Sequence, residues 1–218
     1  MILKYFKQLF DVPVEINKLT YLMLIGVALF FGIPHFFIML GLLFFVFLHE
    51  HGHILAGRNY GISTHSIVIT PLGGLAMMSS VGRTNKQKFV IAISGPAINF
   101  ILAVLFGIFN NLLVFVCPIE LLRTAFMSNI ISAFNYIFFM NLVLGVFNLV
   151  PAYPLDGGRI LGAILTALKV SNSLKRKIIS YTSKVIAVLM IIYSLFSFNV
   201  FMFIIAIFIF VYSNKQSM

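Results

Sequence analysis

Residues 49 to 53, His-Glu-His-Gly-His, place two histidines four positions apart, with a glutamate directly after the first. Positions four apart on an α-helix lie on the same face, so the imidazoles of His49 and His53 can bind one metal ion. Glu50 then lies beside the metal, where its carboxylate can take a proton from a water molecule. His51 is rotated away from this face and is not counted as a ligand. The H-E-x-x-H spacing therefore predicts a zinc site with Glu50 as general base.

A catalytic zinc usually has three protein ligands and one open position, and the best candidate for the third ligand is Asp156. The chain has only five acidic residues, Asp11, Glu15, Glu50, Glu120 and Asp156. Of these, only Asp156 follows directly on a predicted span. Pro151 and Pro154 lack backbone N–H groups and break the helix before it. Irregular backbone at membrane depth is tolerated where it is buried or lines a water-filled cavity, so Asp156 is expected to point into one. The alternative is an interfacial turn with an N-capping aspartate.

The composition places this site in a membrane protein. Of 218 residues, 61% are hydrophobic and 9% are charged, and the mean hydropathy is +1.08. A soluble domain carries roughly 25% charged residues, so these charges are too few to cover a soluble surface. We predict one domain over residues 1–218, with a core at 35–170 and a C-terminal helical hairpin at 177–213. The single cysteine, Cys117, excludes an intrachain disulfide framework.

Six apolar runs predict an all-α polytopic fold of about six transmembrane helices, since a span needs about 20 mostly apolar residues. The runs cover 19–33, 35–57, 89–116, 126–150, 178–196 and 199–212. The first run has no small-residue cleavage site after it, so we expect it to be retained as a helix. Residues 160–169 have helical apolar spacing and predict a half-buried helix.

Lysine and arginine are concentrated in alternate connections between the runs. They are Lys4, Lys7, Lys18, Arg58, Arg83, Lys86, Lys88, Lys169, Lys175, Arg176, Lys177 and Lys215. Cytoplasmic loops are enriched in these residues, which predicts a multi-pass cell-membrane protein with both termini in the cytoplasm. The net charge of +10 does not indicate nucleic acid, because the basic residues are interspersed with apolar runs rather than gathered on a soluble face. The expected partner surface is the lipid bilayer.

Residues 66–78, S-I-V-I-T-P-L-G-G-L-A-M-M, predict a small membrane-associated β-hairpin. Ser66 to Thr70 favours a strand, and Pro71, Gly73 and Gly74 punctuate it. Proteolysis requires an extended substrate, because a helical peptide bond is shielded by its own turn. We therefore expect the hairpin to bind a substrate as an added strand near Gly73 and Gly74. The alternative is an ordinary cytoplasmic loop.

Taken together, the motifs resemble the site-2 protease family of intramembrane zinc metalloproteases. That family joins H-E-x-x-H to N-x-x-P-x-x-P-x-D-G on a later helix. The longer motif is matched by Asn148, Pro151, Pro154, Asp156 and Gly157. A middle element, S-G-P-x-x-N, is matched by residues 94–99. The order of these elements is similar to the branch that processes sporulation sigma factors, and the likeness covers about residues 35–170.

The resemblance implies one zinc per chain, held by His49, His53 and Asp156. It places Asn148 and Pro154 beside the scissile peptide and makes Asn99 a second polar contact, although Asn99 is equally explained by helix packing. It implies a membrane-tethered substrate whose cleavage releases a regulatory factor to the cytoplasm, and a membrane-bound inhibitor or regulator. The C-terminal nucleotide-sensing domain and the PDZ domain of other branches are not expected here.

Two other classes remain as alternatives. A zinc transporter would use the same histidines and aspartate, but it leaves Glu50 without a role and needs polar residues along several spans. A non-catalytic membrane scaffold, such as an inactive relative, predicts no bound metal. Arg159 is expected to contact either substrate or lipid phosphate, and the sequence favours neither. The last two spans carry no recognisable chemistry and are assigned to scaffold or partner surface.

Overall fold

The computed structural model describes residues 11–215 and side chains as far as Ser213, so Lys4, Lys7 and the side chain of Lys215 lie outside it. The elements are β1 (Val14–Ile16), α1 (Lys18–Phe31), α2 (Ile33–Arg58), β2 (Thr64–Thr70), β3 (Gly73–Met78), α3 (Asn85–Val116), α4 (Ile119–Leu122), α5 (Ala125–Asn148), α6 (Asp156–Ala167), α7 (Asn172–Phe196) and α8 (Val200–Lys215). The chain is mainly helical and has one small sheet, which agrees with the fold class predicted from the sequence.

Each of the six predicted spans corresponds to an apolar helix. Within residues 11–215, four helices are long and apolar enough to cross a membrane: α2, α3, α5 and α7. The other two, α1 and α8, are shorter apolar helices of 14 and 16 residues. The predicted helix at residues 160–169 corresponds to α6.

The boundary between the first two helices differs from the prediction. Gly32, with φ of +87°, separates α1 from α2, and Pro34 lies in the first turn of α2 rather than ending α1. Proline suits this position because the first N–H groups of a helix have no intrahelical acceptor. The chain therefore turns at glycine, the residue that tolerates positive φ.

Short polar side chains set several helix starts. Thr84 and Gln87 form a reciprocal capping box at α3, while Thr124 and Ser171 accept from the backbone N–H groups of the first turns of α5 and α7. Such caps satisfy donors that have no partner inside the helix. The cap at Ser171 explains why α7 begins six residues before the apolar run at 178.

The sheet has three strands in the order β1-β2-β3. The predicted hairpin is confirmed as the antiparallel pair of β2 and β3. The sequence analysis missed β1, which pairs with β2 in parallel and aligns Val14 with Ile67. Below the sheet, Val12, Ile67 and Ile69 pack with Val46 and Ile54 of α2 in one buried cluster. The sheet is thereby fixed against the helix that carries the histidines.

The C-terminal hairpin of α7 and α8 packs on the segment between α5 and α6. Ala152 of that segment is fully buried against Ala187 and Met190 of α7 and Ala206 and Ile209 of α8. Burying apolar side chains in this way gives the irregular segment a fixed support. This packing matters for the site, because Asp156 begins the helix that follows.

Candidate active site

Three side chains from two helices converge at the centre of the bundle. His49 and His53 of α2 meet Asp156, the first residue of α6. The Nε2 atoms of the two histidines are 3.2 Å apart, and Asp156 Oδ2 lies 3.0 Å from the first and 3.2 Å from the second. All three residues are at most 5% exposed. The three atoms thus form a nearly equilateral triangle in a buried pocket.

This triangle fits one zinc ion. Zinc bonds of about 2.0–2.1 Å in tetrahedral geometry separate the ligand atoms by about 3.3 Å, close to the 3.0–3.2 Å observed. Two imidazoles and one carboxylate are donors that zinc accepts, and they occupy three of four positions. A fourth position is what a catalytic, rather than a structural, zinc site requires.

Both histidines have a hydrogen-bond partner on the ring nitrogen that faces away from the triangle. His53 Nδ1 donates to the backbone carbonyl of Ile91, at 2.7 Å. His49 Nδ1 is 2.5 Å from Oδ1 of Asn99, which is on α3. Such outer contacts orient metal-binding imidazoles and fix which nitrogen carries the proton. Residue His51, by contrast, bonds to the carbonyl of Phe47 and does not join the triangle.

Glycines let α3 approach the histidines closely. A Cβ added to Gly95 would lie 2.5 Å from Cε1 of His53 and 2.7 Å from Nε2 of His49. A Cβ added to Gly52 of α2 would lie 2.5 Å from the carbonyl oxygen of Ser94. Neither position has room for a side chain, so the S-G-P element forms the wall of the site. This is the physical reason for its glycine.

Glu50 is buried beside the triangle and faces the sheet. Its carboxylate lies within 4.8 Å of a ring nitrogen of His49 and of His53, so these three residues could also hold a metal ion. However, Glu50 Oε2 accepts a hydrogen bond of 2.9 Å from the backbone N–H of Ala76 in β3. This hydrogen bond holds Glu50 next to the metal position and outside the triangle of ligand atoms. This is the position that a general base requires.

The backbone of β3 turns alternate residues toward the site. Ile67 N donates to Pro13 O and Ile69 O accepts from Asn17 N, so these residues of β2 face β1. The residues between them therefore bond to β3, through pairs such as Val68 with Leu75. Gly74 and Ala76 consequently turn their backbone groups outward, to the edge that borders Glu50.

The loop before Asp156 is held by specific contacts. Tyr153 N–H donates to Ser183 Oγ of α7 at 2.8 Å, and the Tyr153–Pro154 peptide bond is cis. Backbone carbonyls of Leu149 and Val150 lie so close to Gly157 that a Cβ there would overlap them. At the other side of Asp156, Arg159 Nη1 lies 3.6 Å from Oδ1. The first contacts hold the backbone around Asp156, and the Arg159 contact reaches its carboxylate.

The remaining residues predicted from the sequence are placed as follows. Gly74 lies against Glu50, with 2.5 Å between a hypothetical Cβ and Glu50 Cγ. Gly73 lies at the start of β3 with φ of +139°, and a Cβ added there would meet nothing within 4 Å. Asn148 ends α5, and its amide donates to Leu144 O of the same helix. Pro154 is two residues before Asp156 in the supporting loop. Asn99 lies behind His49, fully buried, with both amide atoms bonded to side chains.

The sequence analysis missed two polar residues near the site. Asn141 on α5 accepts from Asn99 Nδ2 at 3.1 Å and is fully buried. Ser183 supports the loop before Asp156 from a helix that had been assigned to scaffold. A single asparagine or serine in an apolar span gives little indication of its partner. The signal that was available is that buried polar groups in lipid need hydrogen bonds and so mark packing or function.

Comparison with known proteins identifies the family to which the chain is similar. The model of peptidase family M50 matches residues 37–116 and 109–193. The chain is 29% identical to a zinc metalloprotease of Methanocaldococcus jannaschii over 96% of its own length and 59% of that protein. It is 34% identical to the Rip3 protein of Mycobacterium tuberculosis over 54% of its own length and 28% of that protein. It therefore spans less than two thirds of the length of each of these relatives.

A solved structure gives the same result. The site-2 protease from Methanocaldococcus jannaschii superposes with a TM-score of 0.68 and 29% identity, covering 96% of this chain and 92% of the solved chain. The mostly helical fold, with its apolar helices and small sheet, is that of the polytopic membrane proteins of this group. The chain belongs to peptidase family M50, the site-2 protease family, and the resemblance noted in the sequence motifs is confirmed.

Proposed function

We propose that this protein is an intramembrane zinc metalloprotease that hydrolyses a peptide bond in or near a transmembrane segment of a membrane-tethered protein. The observation that carries the proposal is the meeting of His49, His53 and Asp156 in a triangle of zinc dimensions, with Glu50 beside it. Cleavage would release a regulatory factor to the cytoplasm. One zinc ion per chain and a membrane-bound inhibitor or regulator belong to the same proposal.

The chemistry assigns one role to each residue. Zinc, when bound, supplies the Lewis acidity that activates water and polarises the carbonyl of the scissile peptide. His49, His53 and Asp156 hold the ion. Glu50 accepts the proton of the attacking water and passes it to the leaving nitrogen. Burial keeps bulk water away from these groups and strengthens each electrostatic contact among them.

The outer edge of β3 is the proposed binding site for the substrate backbone. Within the described residues, β3 is an edge of the sheet, and its outward groups at Gly74 and Ala76 border Glu50. An extended peptide added along this edge would pass directly beside the general base. The predicted substrate contacts of Gly73, Asn148, Pro154 and Asn99 stay proposals. A peptide bound along β3 would have access to the first three of these residues.

The alternative functions differ from the protease in what they expect of Glu50. A zinc transporter has no use for a carboxylate held beside the metal and against a strand edge. A scaffold or inactive relative has no need for a triangle of zinc dimensions. The burial of Glu50, at 8% exposed, is costly unless the residue has a function.

The test is bound zinc and cleavage in four purified proteins: wild type, Glu50→Gln, Asp156→Ala and His53→Ala. We expect about one zinc per chain in the first two and little in the others. A fluorogenic peptide that contains an apolar span should be cleaved by wild type, while Glu50→Gln should be slower by about 10²-fold or more and the two ligand variants should be inactive. Zinc-free wild type that is folded would support the scaffold, and a Glu50→Gln protein that cleaves normally would remove the assigned base.

A further inference from the structure

Two asparagine side chains connect the proposed metal ligand His49 to the helices α3 and α5 through a chain of hydrogen bonds. His49 Nδ1 meets Asn99 Oδ1 at 2.5 Å, Asn99 Nδ2 donates to Asn141 Oδ1 at 3.1 Å, and Asn141 Nδ2 donates to Ile137 O at 3.0 Å. Asn99 and Asn141 are both fully buried. Every group in the chain therefore depends on its neighbour for a hydrogen bond, because lipid and apolar side chains offer none.

The direction of each hydrogen bond follows from its last member. Ile137 O is a backbone carbonyl and can only accept, so the atom of Asn141 that meets it must be the amide nitrogen. The oxygen of Asn141 then faces Asn99 and must accept from the amide nitrogen there. This leaves the oxygen of Asn99 facing His49, whose Nδ1 must carry a proton. The other nitrogen of a neutral imidazole is then unprotonated.

We propose that Asn141, acting through Asn99, is a positioning residue that keeps the lone pair of His49 Nε2 directed at the metal position. The inference rests on the proposed function, since it concerns how one of its ligands is prepared. Its physical content is specific. If Asn141 no longer accepts, Asn99 is free to turn its amide over and present a donor to His49 Nδ1, which places the proton of His49 on Nε2, where the metal would bind.

The same two helices contain a second asparagine pair, with an exposed member on α5, that serves as a control for the loss of one interhelical hydrogen bond. Asn110 Nδ2 of α3 donates to Asn135 Oδ1 of α5 at 3.1 Å, the same distance as between Asn99 and Asn141. The α5 member, Asn135, lies six positions before Asn141. No hydrogen bond found in the described residues connects this pair to a histidine. Replacing either α5 asparagine by leucine removes one interhelical hydrogen bond of the same kind.

The experiment measures zinc affinity by chelator competition in detergent, on the full chain. Asn141→Leu should raise the zinc dissociation constant by about 10- to 100-fold, as loss of outer contacts to metal ligands generally does. Asn135→Leu should leave it within about twofold. Asn141→Asp, which keeps an oxygen to accept from Asn99, should restore most of the affinity. Asn99→Leu and the Asn99→Leu/Asn141→Leu double variant should have equal zinc dissociation constants, because both substitutions act through one atom of His49.

The outcomes separate this inference from the proposed function. If His53→Ala and Asp156→Ala bind zinc normally, the ligand set itself is wrong. If those variants lose zinc but Asn141→Leu behaves like Asn135→Leu, the ligand set holds and the positioning role is overturned. Equal loss of zinc in both leucine variants would also overturn it, since that result indicates helix packing alone. If Asn141→Leu does not fold, Asn141→Ala carries the same expectation and decides the question.

Discussion

Glu50 is restrained by two neighbours that differ in kind, a metal position on one side and a strand edge on the other. Its carboxylate accepts from Ala76 N–H at 2.9 Å, so the general base and the proposed substrate edge share a hydrogen-bond donor. A substrate strand that bonded to Ala76 would compete for that N–H. The carboxylate can move when a substrate strand takes this N–H only if nothing fills the space between Glu50 and the strand. That space exists because residue 74 is glycine.

The first prediction concerns this glycine. In Gly74→Ala the new Cβ would lie 2.5 Å from Glu50 Cγ and 3.0 Å from Oε1, so the side chain of Glu50 must move. We expect kcat/KM to fall at least about tenfold, because displaced bases lose part of their catalytic contribution, while zinc content stays near wild type. The measurement is peptide cleavage together with zinc analysis. Gly41→Ala, where nothing lies within 4 Å, is the control; full activity in Gly74→Ala would contradict the assigned position of the base.

At the scale of elements, α2 and α3 form the site only because their backbones approach closely. Gly52 and Gly95 lie at the crossing, and each would place a Cβ within 2.8 Å of the opposite helix. Small residues at such crossings are typical of membrane helix pairs. Here the close approach has a second effect, since it brings the carbonyl of Ile91 and the amide of Asn99 to the two histidines. The helix pair thus supplies both histidine ligands and the groups that orient them.

The second prediction follows from this crossing. Gly95→Ala would push a methyl group against both ligand imidazoles, so we expect zinc binding to be lost or weakened at least about tenfold. Gly107→Ala, on the same helix, places its Cβ 3.1 Å from the Phe138 ring, which is far from the histidines. That control should retain zinc. Wild-type zinc affinity in a folded Gly95→Ala protein would contradict the geometry of the wall.

The third prediction concerns the contact between the C-terminal hairpin and the loop that carries Asp156. Ser183 Oγ accepts from Tyr153 N and donates to Ile179 O, so Ser183→Ala leaves a part-buried backbone N–H without its partner. We expect a loss of about 1–3 kcal/mol in unfolding free energy and weaker zinc binding, measured by denaturant unfolding and chelator competition.

Ser194 provides the matched control for Ser183. It is buried on the same helix, and its hydroxyl donates to Ile191 O. Ser194→Ala removes a similar local bond without touching the loop, so its zinc affinity should remain that of wild type. If the two alanine variants bind zinc equally well, α7 does not help to position Asp156.

At the scale of the whole molecule, the sequence predicts what depends on local periodicity and leaves out what depends on distant pairing. The apolar runs predict the helices, because a span needs a continuous apolar surface. The H-E-x-x-H spacing predicts the side chains of α2 that face the site, because four residues make about one turn. In contrast, β1 has three residues, Val14–Ile16, and its partner strand begins about 50 positions later, so no local pattern marks it.

The same contrast holds for the site. Asp156 could be predicted because acidic residues are so rare in this chain that elimination leaves few candidates. Asn141 and Ser183 could not, because their partners lie on other helices and amides and hydroxyls are common. The sequence does not decide between substrate and lipid phosphate as the partner of Arg159, and the structure adds a third contact, with Asp156 at 3.6 Å. Polar residues in spans acquire meaning only when the packing of the bundle is known.

The orientation of the bundle in the membrane leads to the last prediction. Arg83, Lys86 and Lys88 precede or begin α3, whereas Glu120 and Arg123 follow it, so the basic end is expected in the cytoplasm. Helix α3 has 32 residues, or about 48 Å at ~1.5 Å per residue, which exceeds a hydrocarbon core of about 30 Å. If α3 crosses the membrane, its two ends therefore lie outside the hydrocarbon core on opposite sides.

A single cysteine at either end reports this directly, because Cys117 is the only cysteine of the chain. In the Cys117→Ser background, Glu120→Cys should react with a membrane-impermeant maleimide added to intact cells. Lys86→Cys in the same background should react only after the membrane is permeabilised. Both side chains are exposed or partly exposed, so access rather than burial sets the result. The reverse pattern would invert the predicted orientation. Equal labelling of both in intact cells would mean that α3 does not cross the membrane.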